Sequence, residues 1–218
     1  MMCGRQFTED ESQLLQEIII NRRDVRGNRF LSTPLDEADI EKILLAAVNA
    51  PSVGFSQPWE FVVIQDENTK NIIKDSFQQK NNQASNHFST EKQALYQRLK
   101  LEGITDAPIN IAVFYKPSTQ PVLGQTAMPE MGQYSVVCAV QNMWLMARSL
   151  NIGMGWVSIL DPHCVKKAVN APKPHQLIAY LCLGYVDAFL PQPELEQLQW
   201  EKRKQLNSVV MNEKYVDC

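Results

Sequence analysis

The segment spanning residues 132–150 constrains the fold more than any other part of the sequence. It has helical spacing and is followed by Asn151 and Gly153, residue types that end helices. Apolar side chains occur on most of its sides: Val136, Val137, Val140, Trp144, Leu145 and Met146. Because a surface helix needs only one apolar face, we expect this helix to be buried against more than one neighbour. A chain of 218 residues suits one domain, so we expect a second copy to complete its core.

The other segments alternate between helices and short strands. A capping box at Thr8 and Glu11 starts a helix that ends near Asn21, and Asp36 caps a second helix. Their apolar stripes are Leu14, Leu15, Ile18 and Ile19 in the first, and Ile40, Ile43, Leu44 and Ala47 in the second. Strands are predicted at WEFVVIQ, INIAVFY, GWVSIL and LIAYLCLGYV, with a short helix after Asp161 and a last helix near 194–203. This order predicts an α+β fold.

A polar stretch, QQKNNQASN, interrupts the helical spacing between the first two strands. Residues 71–79 and 89–99 are predicted to be helices, and residues 78–86 a mobile connection between them. We therefore expect a single domain over 1–218, with a mobile lid around 78–104 and a tail from about 204.

Composition excludes several classes of function. A formal net charge of −3 opposes nucleic-acid binding. The acidic N-terminus lacks a signal peptide, and no segment reaches the ~20 apolar residues of a membrane span, so we expect a cytoplasmic protein. The five cysteines form no CxxC pair, which argues against a metal site. Cys138 and Cys182 lie in apolar runs and are expected to pack as small hydrophobes.

Three short segments are candidates for the chemistry. RRDVR, at 22–26, either pairs cations with a helix C-terminus or binds a phosphate, with Asp24 orienting an arginine or acting as acid or base. APSVGFSQPW, at 50–59, is either a tight connection anchored by Trp59 or a loop that lets a ligand approach the backbone. GMGWVS, at 153–158, ends at Ser158, which either bonds to nearby backbone or serves a reaction. Phosphate-loop, Rossmann and nucleophile-elbow motifs do not occur.

Together these segments resemble the nitroreductase family of flavoproteins, in which a basic motif, a PSxxxxQPW loop and a Gly-Trp strand surround FMN. The chain is more similar still to the branch that makes 5,6-dimethylbenzimidazole for cobalamin (vitamin B12) biosynthesis. Asp24, where other nitroreductases tend to carry serine, points to that branch. Further segments of the likeness keep their order along the chain: LKLEGI at 99–104, MPEM at 128–131, VCAVQNMWL at 137–145, AYLCLGY at 179–185 and PELE at 193–196.

The resemblance implies a nitroreductase-like fold, with a central mixed, mainly antiparallel sheet surrounded by helices. It also implies a homodimer with FMN at the subunit interface. The reaction implied is an oxidoreductase reaction in which O2 fragments reduced FMN into 5,6-dimethylbenzimidazole and D-erythrose 4-phosphate. A separate flavin reductase would supply the reduced FMN, and neither nucleic acid nor membrane would be a partner.

The resemblance also implies the site residues. Arg22, Arg23, Arg26 and Arg203 would hold the phosphate and ribityl end of FMN, Ser52 and Gly54 would line the flavin, and Lys92 and Leu101 would belong to the lid. Asp24 and Ser158 would serve the breakdown of the flavin. The cofactor-binding set is then Arg22, Arg23, Asp24, Val25, Arg26, Ser52, Gly54, Lys92, Leu101, Ser158 and Arg203.

Two other functions stay open at this point. A conventional nitroreductase or dehalogenase would keep its FMN and recycle it with NAD(P)H. A non-catalytic flavin-binding protein would return the flavin intact and would place no demand on Asp24.

Overall fold

Four strands form one sheet at the centre of the molecule. The computed structural model describes residues 4–215, so Cys3 and Cys218 lie outside the described residues. The strands are β1 (Trp59–Ile64), β2 (Ile109–Tyr115), β3 (Ile152–Val157) and β4 (Gln176–Tyr185). Their spatial order is β1-β2-β4-β3, and every neighbouring pair is antiparallel. A parallel bridge outside these strand pairs joins Asp24 to Met154 of β3. The expected mainly antiparallel sheet is confirmed.

Helices cover both faces of this sheet. In chain order, the helices of the described residues are α1 (Glu9–Asn21), α2 (Glu37–Val48), α3 (Glu67–Ser85), α4 (Thr90–Tyr96), α5 (Met131–Ser149), α6 (Pro162–Ala168) and α7 (Glu194–Gln197). Strand β2 is buried at every position, because its alternate side chains face two separate apolar clusters. One cluster includes residues of α2 and α5, and the other includes residues of α3 and α6. The expected α+β architecture is confirmed.

Helix α5 packs against the sheet as well as against α1 and α2, as its apolar composition predicts. Its buried stripe is Gly132, Ser135, Val136, Ala139, Val140, Met143 and Ala147. On the opposite side, Tyr134 and Val137 are exposed. Cys138 is exposed as well, so the expectation that it packs like the buried Cys182 is wrong within one chain. It lies on the face of α5 that the other residues of the described range, 4–215, leave exposed.

Helix α1 is also left with an uncovered apolar stripe. Its capping box is confirmed, since the Glu11 N–H donates to Thr8 Oγ1 and the Thr8 N–H donates to the Glu11 carboxylate. No residue of α1 is buried. Leu14, Leu15 and Ile19 are each about half exposed. By contrast, Ile43 and Ala47 of α2 are fully buried, as the stripe of that helix predicts.

Three predicted element boundaries are wrong. The polar stretch at 78–86 was expected to be a connection, but α3 continues through it to Ser85, since glutamine and lysine on an exposed face favour helix. The last helix was expected to reach residue 203 and instead ends at Gln197. Strand β3 begins at Ile152, directly after Asn151 with φ of 57°, and ends before Ser158. The mobility of the lid is untested and stays a prediction.

Within residues 4–215, no helix is both long and apolar enough to cross a membrane.

Candidate functional site

The RRDVR segment lies along β3 because a glycine lets its backbone come close. The Val25 N–H donates to the Met154 carbonyl at 3.0 Å. A Cβ atom on Gly155 would lie 2.1 Å from the Val25 carbonyl oxygen, so any other residue would push the two segments apart. The GxG pattern of β3 therefore has a physical use: it admits the chain that carries Asp24.

The carboxylate of Asp24 is held from two sides. Its Oδ1 accepts the Trp156 N–H at 3.1 Å, and its Oδ2 forms an ion pair with Arg26 Nη2. Burial raises the pKa of Asp24 above its ordinary value, against the lowering effects of Arg26, the Trp156 N–H and Arg22. Glu194 adds to the increase in this pKa. A carboxyl with a raised pKa is a stronger base than an ordinary aspartate and can exchange protons closer to neutral pH.

Arg26 joins this carboxylate to the segment expected to be the lid. Its Nη1 donates to the Leu101 carbonyl at 3.2 Å, while its Nη2 contacts Asp24. Beside it, the Gly27 N–H donates to the Glu102 carbonyl at 2.9 Å. The structure therefore brings Asp24, Arg26 and Leu101 together.

The guanidinium of Arg23 bonds largely within the chain. Its guanidinium donates to four carbonyls, those of Ile20, Arg22, Leu190 and Pro191. The side chain is 9% exposed. In this arrangement Arg23 ties the end of α1 to the segment before α7 and uses four of its five N–H donors within the chain, while it also lines the cavity that Arg22 and Arg203 line. That its guanidinium contacts the phosphate stays a prediction.

Arg22 and Arg203 face one cavity of about 470 Å³, which Arg23, Gln141 and Glu196 also line. Burial lowers the pKa of Arg22, while the neighbouring Asp24 carboxylate raises it and the neighbouring Arg203 guanidinium lowers it further. A volume of this size falls in the range of ligand-binding pockets. Two guanidinium groups beside such a space suit a phosphate, which they can bind in a bidentate manner.

Lys92 lies against the segment that precedes Arg203. Its ammonium lies 5.3 Å from the centre of the Trp200 ring. That ring also packs against Phe88 at 5.1 Å and Tyr96 at 6.2 Å between ring centres. These contacts join α4 to the segment before Arg203. Lys92 itself lines neither the cavity beside Arg22 nor the cavity beside Asp24.

The loop at 50–59 lies elsewhere. Ser52 Oγ accepts the Gln57 N–H at 3.1 Å, which folds the loop on itself. Gly54 has φ of 56°, and a Cβ there would lie 2.6 Å from the Leu123 carbonyl oxygen. Gly54 lines a second cavity, of about 540 Å³, none of whose lining residues belongs to RRDVR. One chain alone therefore does not bring Ser52 and Gly54 to Arg22 and Asp24.

Ser158 is exposed just beyond β3, two residues after the N–H that Asp24 accepts. It lines none of the cavities that contain Arg22 or Asp24. The catalytic role expected of Ser158 stays a prediction.

Sequence reasoning missed two tryptophans at this site. Trp144 donates its indole N–H to the carbonyls of Arg23 and Met154, and Trp200 packs on Lys92. Both lie within or next to segments that carry the family resemblance, but a tryptophan at helical spacing is as easily a core residue. Over residues 4–215, no group of three His, Cys, Asp or Glu side chains is arranged to hold a metal ion.

Comparison with known proteins gives a consistent result. The model of the nitroreductase family matches residues 19–185. A 5,6-dimethylbenzimidazole synthase of Rhodospirillum rubrum is 44% identical over 94% of this chain and 97% of its own length. Another protein of that name, from Rhodobacter capsulatus, is 33% identical over 90% of this chain and 95% of its own length.

Solved structures share the fold. A crystal structure of oxidized iodotyrosine deiodinase bound to FMN and 3-iodo-L-tyrosine has a TM-score of 0.72 and 24% identity, covering 93% of this chain and 100% of that one. A BluB-like flavoprotein from Clostridium difficile has a TM-score of 0.69 and 22% identity, covering 92% of this chain and 99% of that one.

Proposed function

This chain belongs to the nitroreductase family, and we propose that it uses O2 to fragment reduced FMN into 5,6-dimethylbenzimidazole and D-erythrose 4-phosphate. The observation that carries the proposal is the Asp24 carboxylate, which is held by Arg26 and the Trp156 N–H and lines a cavity of about 100 Å³ together with Arg22, Arg23 and Arg26. The names of the relatives from Rhodospirillum rubrum and Rhodobacter capsulatus support it. The product would become the lower ligand of cobalamin.

The residues present fit FMN. Arg22 and Arg203 line a cavity large enough for the phosphate and ribityl end, and their charges match a phosphate dianion. Arg26 and the backbone at Val25 would face the ribityl chain next to Asp24. Arg23 would support the site by fixing the backbone that carries Arg22. Lys92 and Leu101 would close over the flavin.

The reduced flavin would supply both the electrons that O2 accepts and the carbon skeleton of the benzimidazole. Asp24 would take protons from the ribityl side and return them, as its raised pKa suits a group that exchanges protons near neutral pH. Arg26 would keep enough of the carboxylate ionised for it to act as a base. The Ser158 hydroxyl would hydrogen-bond the reacting edge. A closed lid would exclude water, which favours fragmentation over loss of reactive species.

A homodimer would complete this site. The basic motif and the 50–59 loop line different cavities of one chain, so a single FMN can meet both only if a second subunit supplies one of them. Apolar surface is available for the contact. An open apolar cleft of about 450 Å³ lies between α1, α2 and α5. The exposed apolar side chains nearby and in the tail include Leu15, Leu45, Val137, Leu206 and Tyr215.

Replacing Cys138 with arginine is expected to separate the subunits, because it places a charge on the exposed face of α5 where the second copy would pack. We expect a monomer by light scattering and an FMN affinity reduced at least about tenfold, a loss of 1.4 kcal/mol in binding. Gln79→Arg, which adds the same side chain to an exposed position on α3, serves as the control and should remain dimeric. A dimeric Cys138→Arg variant with normal affinity would contradict this interface.

The reduced FMN would come from a separate flavin reductase, since the proposed reaction consumes the flavin rather than cycling it. We place both proteins in the cytoplasm. Adding NAD(P)H and FMN to the purified protein should therefore give no sustained NAD(P)H oxidation until a flavin reductase is added.

The decisive experiment is one aerobic turnover of photoreduced FMN with excess protein, followed by mass spectrometry. We expect 5,6-dimethylbenzimidazole and loss of FMN in equal amounts. Intact oxidised FMN together with steady NAD(P)H oxidation would identify a flavin-recycling nitroreductase. Intact FMN without NAD(P)H oxidation would identify a flavin-binding protein.

Replacing Ser158 with alanine is expected to preserve the fold and lower the product yield about five- to tenfold, the value of one hydrogen bond to the reacting flavin. The yield is measured after mixing photoreduced FMN with the variant in air. Ser85→Ala, at the end of α3, should give the wild-type yield. An unchanged yield from Ser158→Ala would leave this hydroxyl without a part in the reaction.

A further inference from the structure

Trp144 touches both sides of the segment that carries Asp24. Its indole Nε1–H donates to the carbonyls of Arg23 and Met154, each at 3.1 Å. Arg23 directly precedes Asp24, and Met154 is the residue of β3 that Asp24 faces across the bridge. One N–H therefore bonds to both segments, the RRDVR motif and β3, at the place where their backbones meet.

The face of the Trp144 ring contacts the guanidinium of Arg22. The guanidinium carbon of Arg22 lies 4.6 Å from the centre of the Trp144 ring, within the range of a cation–π contact. This contact limits where the guanidinium can lie before phosphate arrives, so less rotamer freedom is lost on binding.

A third contact reaches the donor to Asp24. The Trp144 and Trp156 rings pack with their centres 6.4 Å apart, and the backbone N–H of Trp156 donates to Asp24 Oδ1. The Trp144 ring, which contacts Arg22, therefore also helps to fix the position of Trp156 relative to α5.

We propose that Trp144 is a positioning residue for this site: its N–H sets the Asp24 segment against β3, and its ring face sets Arg22 for the phosphate. Neither function requires contact between Trp144 and the flavin. The proposal rests on the proposed function, because it takes Arg22 as a phosphate ligand and Asp24 as the acid–base group.

Two substitutions separate the two contacts. Trp144→Phe keeps a ring beneath Arg22 but removes the N–H, whereas Trp144→Leu removes both. For Trp144→Phe we expect the single-turnover rate to fall about tenfold, with the preference for FMN over riboflavin kept within about twofold. For Trp144→Leu we expect the same fall in rate and, in addition, a loss of about five- to tenfold in that preference.

The preference is the ratio of the dissociation constants of oxidised riboflavin and oxidised FMN, obtained from flavin fluorescence without any turnover. Val140→Ala, one turn earlier on α5 and buried in its core, is the matched control. It should lower the melting temperature and leave both the rate and the ratio unchanged. If Trp144→Leu does not fold, the proposal is tested by comparing Trp144→Phe with Val140→Ala in single-turnover rate and in the ratio of the two dissociation constants.

The proposal is overturned if Trp144→Leu retains the wild-type ratio. It is also overturned if Trp144→Phe retains the wild-type rate, or if Val140→Ala loses rate and ratio to the same extent. Failure of the proposed function would look different: the wild-type protein would return FMN intact, while the binding ratios would still test the contact between Trp144 and Arg22.

Discussion

Asp24→Asn is expected to reduce formation of 5,6-dimethylbenzimidazole by about a thousandfold or more, while FMN affinity stays within a few-fold. Asparagine matches aspartate in shape and can still accept the Trp156 N–H, so the segment should keep its place on β3. It cannot take up a proton, and proton transfer is the step assigned to this side chain. The measurement is the product of one aerobic turnover by mass spectrometry, beside the FMN dissociation constant.

Asp187→Asn is the matched control for this variant. Asp187 forms an ion pair with Arg29 at 3.6 Å near the same motif, and its side chain is half exposed. It has no contact with Asp24 or Arg26 among the hydrogen bonds of residues 4–215. Full product yield from Asp24→Asn would remove this carboxylate from the chemistry. A large loss of yield from Asp187→Asn would mean that any charge change near the motif disturbs it.

Local signals in the sequence predicted most of the fold because each one acts over a few residues. The Thr8–Glu11 capping box and the Asp36 cap are confirmed, and Asp161, predicted only to precede a short helix, also caps α6. The start of β3 was missed because Gly153 was taken as part of a helix stop. In fact the positive φ of Asn151 suffices, and Gly153 belongs to the strand.

The sequence predicts the residue types of the site, but not which of its groups bond within the chain and which line a cavity. RRDVR presents three arginines at the end of a helix, and nothing in the sequence tells which of them bonds inward. Arg23 does so because carbonyls from Leu190 and Pro191, distant in sequence, converge on it. Likewise, the separation of Gly54 from Arg22 follows from tertiary packing, which local spacing does not encode.

Arg26→Gln is expected to slow product formation at neutral pH about a hundredfold and to move the acid limb of the pH–rate profile upward by about one unit or more. Arg26 lowers the pKa of Asp24, which burial raises. Without this cation the pKa rises further, so the carboxylate becomes protonated, and inactive as a base, at a higher pH than in the wild-type protein. The profile is obtained from single-turnover rates across the pH range in which the protein stays folded.

Arg26→Lys should restore part of the rate and return the acid limb toward its wild-type position, because it keeps the charge near Asp24. It should not restore the whole rate, since one ammonium cannot reproduce the planar guanidinium that reaches both Asp24 and the Leu101 carbonyl. Arg29→Gln, which removes a charge three residues away, should leave the acid limb in place. An acid limb that stays fixed in Arg26→Gln would show that Asp24 does not titrate in the rate-determining step, whereas a shift that Arg26→Lys reverses would tie the base to this ion pair.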